Sequence, residues 1–240
     1  MNIKDIFKRT EKEEGVIRGI LRALPIVMGY VPVGFAFGVL AQKAGISFLN
    51  TVAMSLLVYA GAAQFIAVGL IEASVPGVSI VLTTLIVNLR HLIMTSALAP
   101  FLKGWKASEL AAFSFQVTDE TFAVHSTSFG STSLVKREVF ATNVTAQSAW
   151  VAGTWIGARA GRLVADVEAY ALDYALPALF IALIVLQIKK INQVLLAIIT
   201  GSLSVLLLLA GMDRWNIIIA TLIGATLGVL FEQWDPKASS

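Results

Sequence analysis

Residues 76–99 read PGVSIVLTTLIVNLRHLIMTSALA, an apolar stretch interrupted near its centre by Asn88, Arg90 and His91. A run of about 20 predominantly apolar residues is long enough to cross the hydrocarbon core of a bilayer. A charged side chain at the bilayer centre costs about 2.5 to 3.5 kcal/mol on insertion scales, so such residues usually face the bundle interior and mark a pathway or a site. The stretch therefore predicts a membrane helix that lines the working part of a transporter or channel.

The composition of the whole chain indicates a polytopic membrane protein. Of its 240 residues, 57% are hydrophobic and 14% are charged, and the mean hydropathy is +0.81. Soluble domains carry about a quarter charged residues. The hydrophobic segments are 23–42, 50–71, 76–99, 107–124, 138–158, 170–188, 192–210 and 215–232. We predict an all-α polytopic membrane helical bundle of seven or eight spans, because polar residues weaken the fourth segment.

The N-terminal residues 1–22 differ from the rest of the chain. They mix basic and acidic side chains with apolar residues at helical spacing, which predicts an amphipathic helix at the membrane interface. Their Lys/Arg cluster predicts a cytoplasmic N-terminus. Residues 23–232 are then expected to form a single transmembrane domain, followed by a short tail at 233–240. Alternate loops carry nearly equal Lys/Arg counts, so the side of the C-terminus stays open.

Several function classes lack their sequence signatures. The chain has no cysteine, and its two histidines, His91 and His125, form no HExxH pair, so neither a metal site nor a cofactor is predicted. The net charge of +3 is concentrated near the start of the chain and does not indicate nucleic-acid binding. A Walker A sequence and a Gly-x-Ser-x-Gly elbow are both missing, so we expect neither ATP hydrolysis nor an enzyme.

Polar residues of the third segment follow helical spacing. Hydrocarbon offers them no hydrogen-bond partner, so a polar stripe contacts a solute, neighbouring helices or both. Arg90 faces away from this stripe. We predict that Asn88, Arg90 and His91 line the pathway, and the alternative is a structural lock made by Arg90. The stripe consists of Thr84, Asn88, His91 and Thr95.

The fourth segment supplies the opposite charge in the sequence QVTDET at 116–121. Two consecutive carboxylates on a helix cannot face the same way, so at most one points at a given partner. Asp119 is predicted either to line the site or to pair with Arg90. Asp119, Glu120 and His91 are candidates for proton coupling, because burial in the membrane favours their neutral forms. The alternative is an interfacial or re-entrant segment with solvated acids.

The first two segments contain residues that disturb a helix. Gly29, Pro32 and Gly34 predict a kinked or broken first helix, whose half-helix N-terminus would attract a carboxylate; the alternative is a simple packing kink. In the second segment, the small residues at 60–63 thin the helix just before Gln64, so either the backbone approaches a ligand or partner closely or the helix unwinds there. Gln64 is predicted to bond either a solute or a neighbouring helix. Close helix packing is predicted for the small residues at four-residue spacing: Gly34 and Gly38, Gly153, Gly157 and Gly161, and Gly224 and Gly228.

Four of these stretches together resemble a known family. They are PVGFAFG at 32–38, AGAAQF at 60–65, NLRH at 88–91 and TDETFA at 118–123. In this order and at this spacing they are similar to the AzlC (YgaZ-like) family, large subunits of a bacterial branched-chain amino acid exporter. The resemblance spans roughly the first half of the chain. It implies a multi-pass protein of the bacterial cytoplasmic (inner) membrane that works with a small multispanning AzlD-like subunit.

The resemblance also implies the solute, namely valine, leucine, isoleucine and similar apolar amino acids such as methionine. Such a solute needs a seat for its carboxylate, one for its ammonium group and an apolar pocket. We expect a secondary transporter driven by an ion gradient, in which Arg90 or a first-helix end holds the carboxylate and Asp119 the ammonium. The alternative is a channel-like permease for another small polar or zwitterionic solute. The remaining solute contacts are expected from Gln64, Asn88, Phe35 and Phe65.

Overall fold

The computed structural model describes residues 3–131, 135–161, 190–212 and 216–233, with isolated positions between 163 and 188. Within these residues all regular elements are helices, which confirms the all-α prediction. They are α1 (Ile3–Lys43), α2 (Phe48–Leu57), α3 (Gly61–Glu72), α4 (Gly77–Leu98), a 3-10 turn (Ala99–Leu102), α5 (Ala107–Phe115), α6 (Asp119–Ser131), α7 (Lys136–Ala160), α8 (Ile191–Leu209) and α9 (Asn216–Gln233).

Three helical stretches are long and apolar enough to cross a membrane. They are Glu14–Lys43, Gly77–Leu102 and Ile191–Leu209, and shorter apolar helices cover Phe48–Leu57, Gly61–Glu72 and Ile219–Leu230. The helical membrane class is therefore confirmed, while the number of seven or eight spans stays a prediction. Most of the segment predicted at 170–188, and the tail at 234–240, lie outside the described residues.

The chain divides into two compact units, Met1–Leu183 and Ile184–Ser240. In the second unit, α8 and α9 pack against each other. Gly224 of α9 faces the side chain of Thr200 of α8, as its predicted packing role requires. The first unit contains helices α1 to α7 and all the charged residues predicted for the site.

Helix α1 continues without interruption through Pro25 and Pro32. The broken form of the helix predicted around Gly29, Pro32 and Gly34 is therefore not found, and the first span offers no half-helix end, while a kink at these residues stays a prediction. A proline inside a helix removes only one backbone hydrogen bond, and neighbouring helices sustain the helix in a membrane. Residues 3–22 are helical, as predicted, and run into the first span with no helix end at residue 22. The separate N-terminal domain stays a prediction.

The first unit is organised around the contact of α1 with α7, which is the most extensive between any two described helices. A Cβ atom added at Gly34 would lie 2.8 Å from the carbonyl oxygen of Trp150, and one at Gly153 would lie 3.2 Å from that of Tyr30. Both distances are shorter than ordinary van der Waals contact. The glycines of α1 and α7 thus allow the two backbones to approach closely, which confirms their predicted role.

Two segments that look continuous in the sequence are each divided in the structure. The 50–71 segment consists of α2 and α3, separated at Tyr59, whose φ angle is 45°. The 107–124 segment consists of α5 and α6, separated by residues 116–118. A positive φ at a bulky residue is rare and costs free energy that its surroundings must offset. Helices α3 and α6 both contact α1, and their first turns border the same cavity.

Candidate functional site

A small cavity lies where α3 and α6 begin. Its volume is about 20 Å³, whereas a water molecule needs roughly 10–15 Å³ measured in this way. The cavity therefore has room for about one water molecule, and a larger ligand requires the site to open. It is lined by Tyr30, Tyr59, Ala60, Gly61, Ala62, Arg90, His91, Thr118, Asp119, Glu120 and Trp150.

Arg90 and Asp119 form an ion pair across the cavity. Nη1 of Arg90 lies 3.0 Å from Oδ2 of Asp119, and the two side chains are 27% and 19% exposed. The pair joins α4 to the first residue of α6, so the predicted pairing of Asp119 with Arg90 is found, and Asp119 lines the cavity as well. The buried Nε of Arg90 has no hydrogen-bond partner in the described part of the chain. Arg90 thus keeps one donor for a ligand.

Glu120 has a different environment from its neighbour Asp119. The Tyr30 hydroxyl donates a hydrogen bond of 2.5 Å to Oε2 of Glu120 and lies 2.6 Å from Oγ1 of Thr118. Oγ1 of Thr121 in turn accepts a hydrogen bond of 2.8 Å from the Thr118 backbone N–H. Among the residues that the structure describes, no arginine or lysine forms an ion pair with Glu120. Its carboxylate is therefore held by hydroxyl groups and not by a cation.

The uncapped start of α3 contributes a further polar feature. The N-cap residue Ala60 provides no side-chain hydrogen bond, and Ala60, Gly61 and Ala62 all border the cavity. Free N–H groups and the helix dipole make such an end favourable for a carboxylate. A half-helix end therefore exists at the start of α3, within the second segment, and not in the first span for which it was predicted.

Tyr59, which directly precedes this end, is only 2% exposed. Its hydroxyl has no hydrogen-bond partner among residues 3–131, 135–161 and the other described positions. A buried hydroxyl without a partner is costly. Together with the positive φ of Tyr59, it indicates a group positioned for a ligand.

Four predicted solute contacts lie outside the cavity lining. Gln64 is fully buried, donates a hydrogen bond of 3.0 Å to Ser55 Oγ and accepts one of 3.1 Å from Trp150 Nε1. These bonds link α2, α3 and α7, so Gln64 makes the helix-to-helix contact that was one of its two predicted roles. Solute contact by the other three stays a prediction; they are Phe35, Phe65 and Asn88.

Two of the four residues in the predicted polar stripe of α4 use their hydroxyl groups within the helix itself. The hydroxyl of Thr84 donates to the carbonyl oxygen of Ile80 at 2.8 Å, and that of Thr95 donates to the carbonyl oxygen of His91 at 2.7 Å. Both threonines are thus satisfied within their own helix. His91 lines the cavity together with Arg90, and its buried Nε2 has no partner in the described ranges.

Tyr30, Tyr59, Thr118 and Trp150 line the cavity but were not predicted as site residues. A weak signal existed for Tyr30, because it lies inside the first span and not at its end, where aromatic belts are expected. For Tyr59 the signal was indirect, because the helix-disturbing Gly61 lies two residues after it. Only the packing of α1, α6 and α7 brings these side chains together.

The fold and the cavity define a class of protein: a helical membrane protein with an ion pair and an additional carboxylate inside its helix bundle, features typical of transport proteins. The family described as AzlC protein matches residues 25–164, which include every residue of the cavity lining. The chain belongs to the AzlC family.

Relatives of this chain cover most of its length. An uncharacterized membrane protein of Archaeoglobus fulgidus is 35% identical over 91% of this chain and 94% of the relative. The inner membrane protein YgaZ of Escherichia coli (strain K12) is 32% identical over 89% of this chain and 88% of the relative. The branched-chain amino acid transport protein AzlC of Bacillus subtilis (strain 168) is 29% identical over 86% and 80%. These similarities support a function in membrane transport. No solved structure matches the chain.

Proposed function

We propose that the chain is a secondary transporter that exports valine, leucine, isoleucine and similar apolar amino acids such as methionine. The observation that carries the proposal is the Arg90–Asp119 ion pair at a small cavity in the helix bundle. The similarity to a branched-chain amino acid transport protein supports the same substrate class. The sequence contains no ATP-binding motif, so an ion gradient supplies the driving force.

An amino acid zwitterion carries the charges complementary to this pair. Its ammonium group binds Asp119, and its carboxylate binds Arg90, whose Nε is free. The uncapped start of α3 and the Tyr59 hydroxyl provide further donors for the same carboxylate. Substrate binding thus exchanges one ion pair for two, so neither protein charge is left without a partner.

The cavity of about 20 Å³ is too small for an amino acid, so binding requires a conformational change. The two helix interruptions, at Tyr59 and at residues 116–118, border the cavity and allow its walls to move separately from the packed α1–α7 pair. Phe35, Phe65 and Asn88 contact the solute only after such an opening. A site that is too small for its solute in this conformation favours alternating access over an open pore.

The proposal includes the setting of the transporter. The chain lies in the bacterial cytoplasmic membrane with its N-terminus in the cytoplasm, as the basic residues of 1–22 favour. It acts with a small multispanning AzlD-like subunit. The apolar outer face of α4, where Val78, Leu85 and Ile93 are exposed, is available to lipid or to that subunit.

The test compares intracellular valine, leucine, isoleucine and methionine after dipeptide loading, in cells with and without the chain and its small subunit. We expect cells that contain both proteins to retain less of these amino acids. Cells with Arg90→Ala or Asp119→Asn should retain as much as cells that lack the chain. Thr84→Val is the matched control on α4, because this hydroxyl bonds only its own helix. Equal retention in all strains would exclude an exporter. Saturable accumulation against a gradient in vesicles would separate a transporter from a channel-like permease.

A further inference from the structure

We propose that Glu120, and not Asp119, carries the proton that is exchanged for the amino acid. The inference deepens the transport function proposed above and depends on it. It starts from the different environments of two consecutive carboxylates. Asp119 is neutralised by Arg90 at 3.0 Å, whereas Glu120 is held by the Tyr30 hydroxyl at 2.5 Å.

The charges around the cavity do not balance when both carboxylates are ionised. Two negative carboxylates then share the cavity with one positive guanidinium group, and a neutral His91 adds no charge. In the empty site this excess negative charge has no partner, whereas a bound amino acid places its ammonium group beside both carboxylates and its own carboxylate beside Arg90. An uncompensated charge away from water is costly, and a proton on Glu120 removes it. The titratable groups that line the cavity with Glu120 are Tyr30 of α1, Tyr59 between α2 and α3, Arg90 and His91 of α4, and Asp119 of α6; α7 contributes the uncharged Trp150.

Exchange of substrate for proton follows if the ammonium group of the substrate and the proton compete for the Glu120 carboxylate. On the cytoplasmic side, the ammonium group of the substrate enters next to both carboxylates and favours the ionised form of Glu120, which releases its proton to the cytoplasm. On the outer side the substrate leaves, and Glu120 takes up a proton before the empty site returns. One amino acid moves out and one proton moves in. The Tyr30 hydroxyl donates to the ionised carboxylate and accepts from the protonated one, so it holds Glu120 in both states.

An independent observation indicates that this cavity receives a ligand. The Tyr59 hydroxyl is buried and has no partner among the residues described, and Tyr59 adopts a left-handed backbone conformation. Neither feature depends on the acidic residues of α6. Both are explained if a ligand group completes the hydrogen bonding of Tyr59 in another step of the cycle.

The experiment uses everted membrane vesicles that contain the full chain together with an AzlD-type subunit. Two activities are measured with radiolabelled valine: accumulation driven by a pH gradient, and valine–valine exchange without a gradient. We expect Glu120→Gln to keep exchange while its gradient-driven accumulation falls to the level of vesicles without the chain. Asp119→Asn is expected to lose both activities. Glu109→Gln is the matched control, because this partly exposed carboxylate of α5 lies outside the cavity.

The outcomes separate this inference from the proposed function. If the unmodified chain shows neither activity, the transport function itself is wrong. If the unmodified chain is active and Glu120→Gln accumulates valine normally, or stays folded but loses exchange, Glu120 is not the proton carrier. Tyr30→Phe provides a second test in case Glu120→Gln does not fold. Without the hydrogen bond from the Tyr30 hydroxyl, the protonated form of Glu120 is favoured, so the pH of half-maximal valine accumulation should shift upward. An unchanged pH profile would overturn the inference.

Discussion

Arg22 and Glu138 form an ion pair that joins α1 to α7, with Nε of Arg22 2.7 Å from Oε1 of Glu138. Glu138 is only 4% exposed. Arg18 lies one helical turn earlier and approaches the same carboxylate at 3.5 Å with a half-exposed side chain. The two arginines thus neutralise a buried acid on the helix pair that organises the first unit.

Arg22→Ala is expected to destabilise the protein by about 1–3 kcal/mol, because it leaves the buried Glu138 with only a longer contact to Arg18. Arg18→Ala should cost less, since its contact is longer and more exposed. Melting temperatures in detergent measure both effects. An Arg18→Ala effect as large as that of Arg22→Ala would contradict this assignment.

Gly34→Ala is expected to destabilise the α1–α7 contact by about 1–3 kcal/mol, because the added Cβ would lie 2.8 Å from a backbone carbonyl oxygen of α7. Gly29→Ala is the control on the same helix, since a Cβ there meets nothing within 4 Å. Alanine favours a helix by about 0.5–1 kcal/mol over glycine, so Gly29→Ala should be neutral or stabilising. Thermal unfolding of both variants tests the difference, and equal losses would exclude close packing at Gly34.

A double substitution distinguishes transport from a structural lock at Arg90 and Asp119. Asp119→Asn alone leaves Arg90 without its charged partner and should cost about 1–3 kcal/mol. Adding Arg90→Gln should recover much of that stability, because no unpaired charge remains. Valine export should stay absent in the double variant. Recovery of export together with stability would show that the pair serves only the architecture.

Glu109 of α5, which lies outside the three candidate spans, makes a pH-dependent contribution to the stability of the folded protein. The hydrogen bond from Lys136 Nζ, and then the backbone N–H of Lys106, hold the pKa of this carboxyl below its ordinary value of about 4.5. The stabilisation is therefore complete above that ordinary value and is lost as the pH falls below it, through the lowered pKa of the folded protein. The melting temperature of Glu109→Gln should be lower than that of the unmodified chain at about pH 7, and the difference should shrink as the pH falls through the lowered pKa of Glu109. A difference that persists in acid would rule out this origin.

Local features of the chain are predictable where one helix decides them. The glycines of α1 and α7 could be assigned to packing from their four-residue spacing alone. The helix interruptions were predictable only in part. The small residues at 60–63 indicated that the second segment can unwind, whereas Pro32 remains inside α1 and Tyr59 itself carries no breaking signature. The contacts that surround each position decide whether a proline is tolerated or a strained tyrosine is held.

The sequence by itself determined the membrane class and the presence of a charged centre in α4, because hydropathy and helical spacing are properties of a single segment. It also contained the motifs of the family. Only the tertiary structure decided which carboxylate meets which partner. Asp119 pairs with Arg90, while Glu120 meets Tyr30 from a position 90 residues away in the chain. Such pairings depend on how α1, α4 and α6 pack, and no spacing within one helix specifies that arrangement.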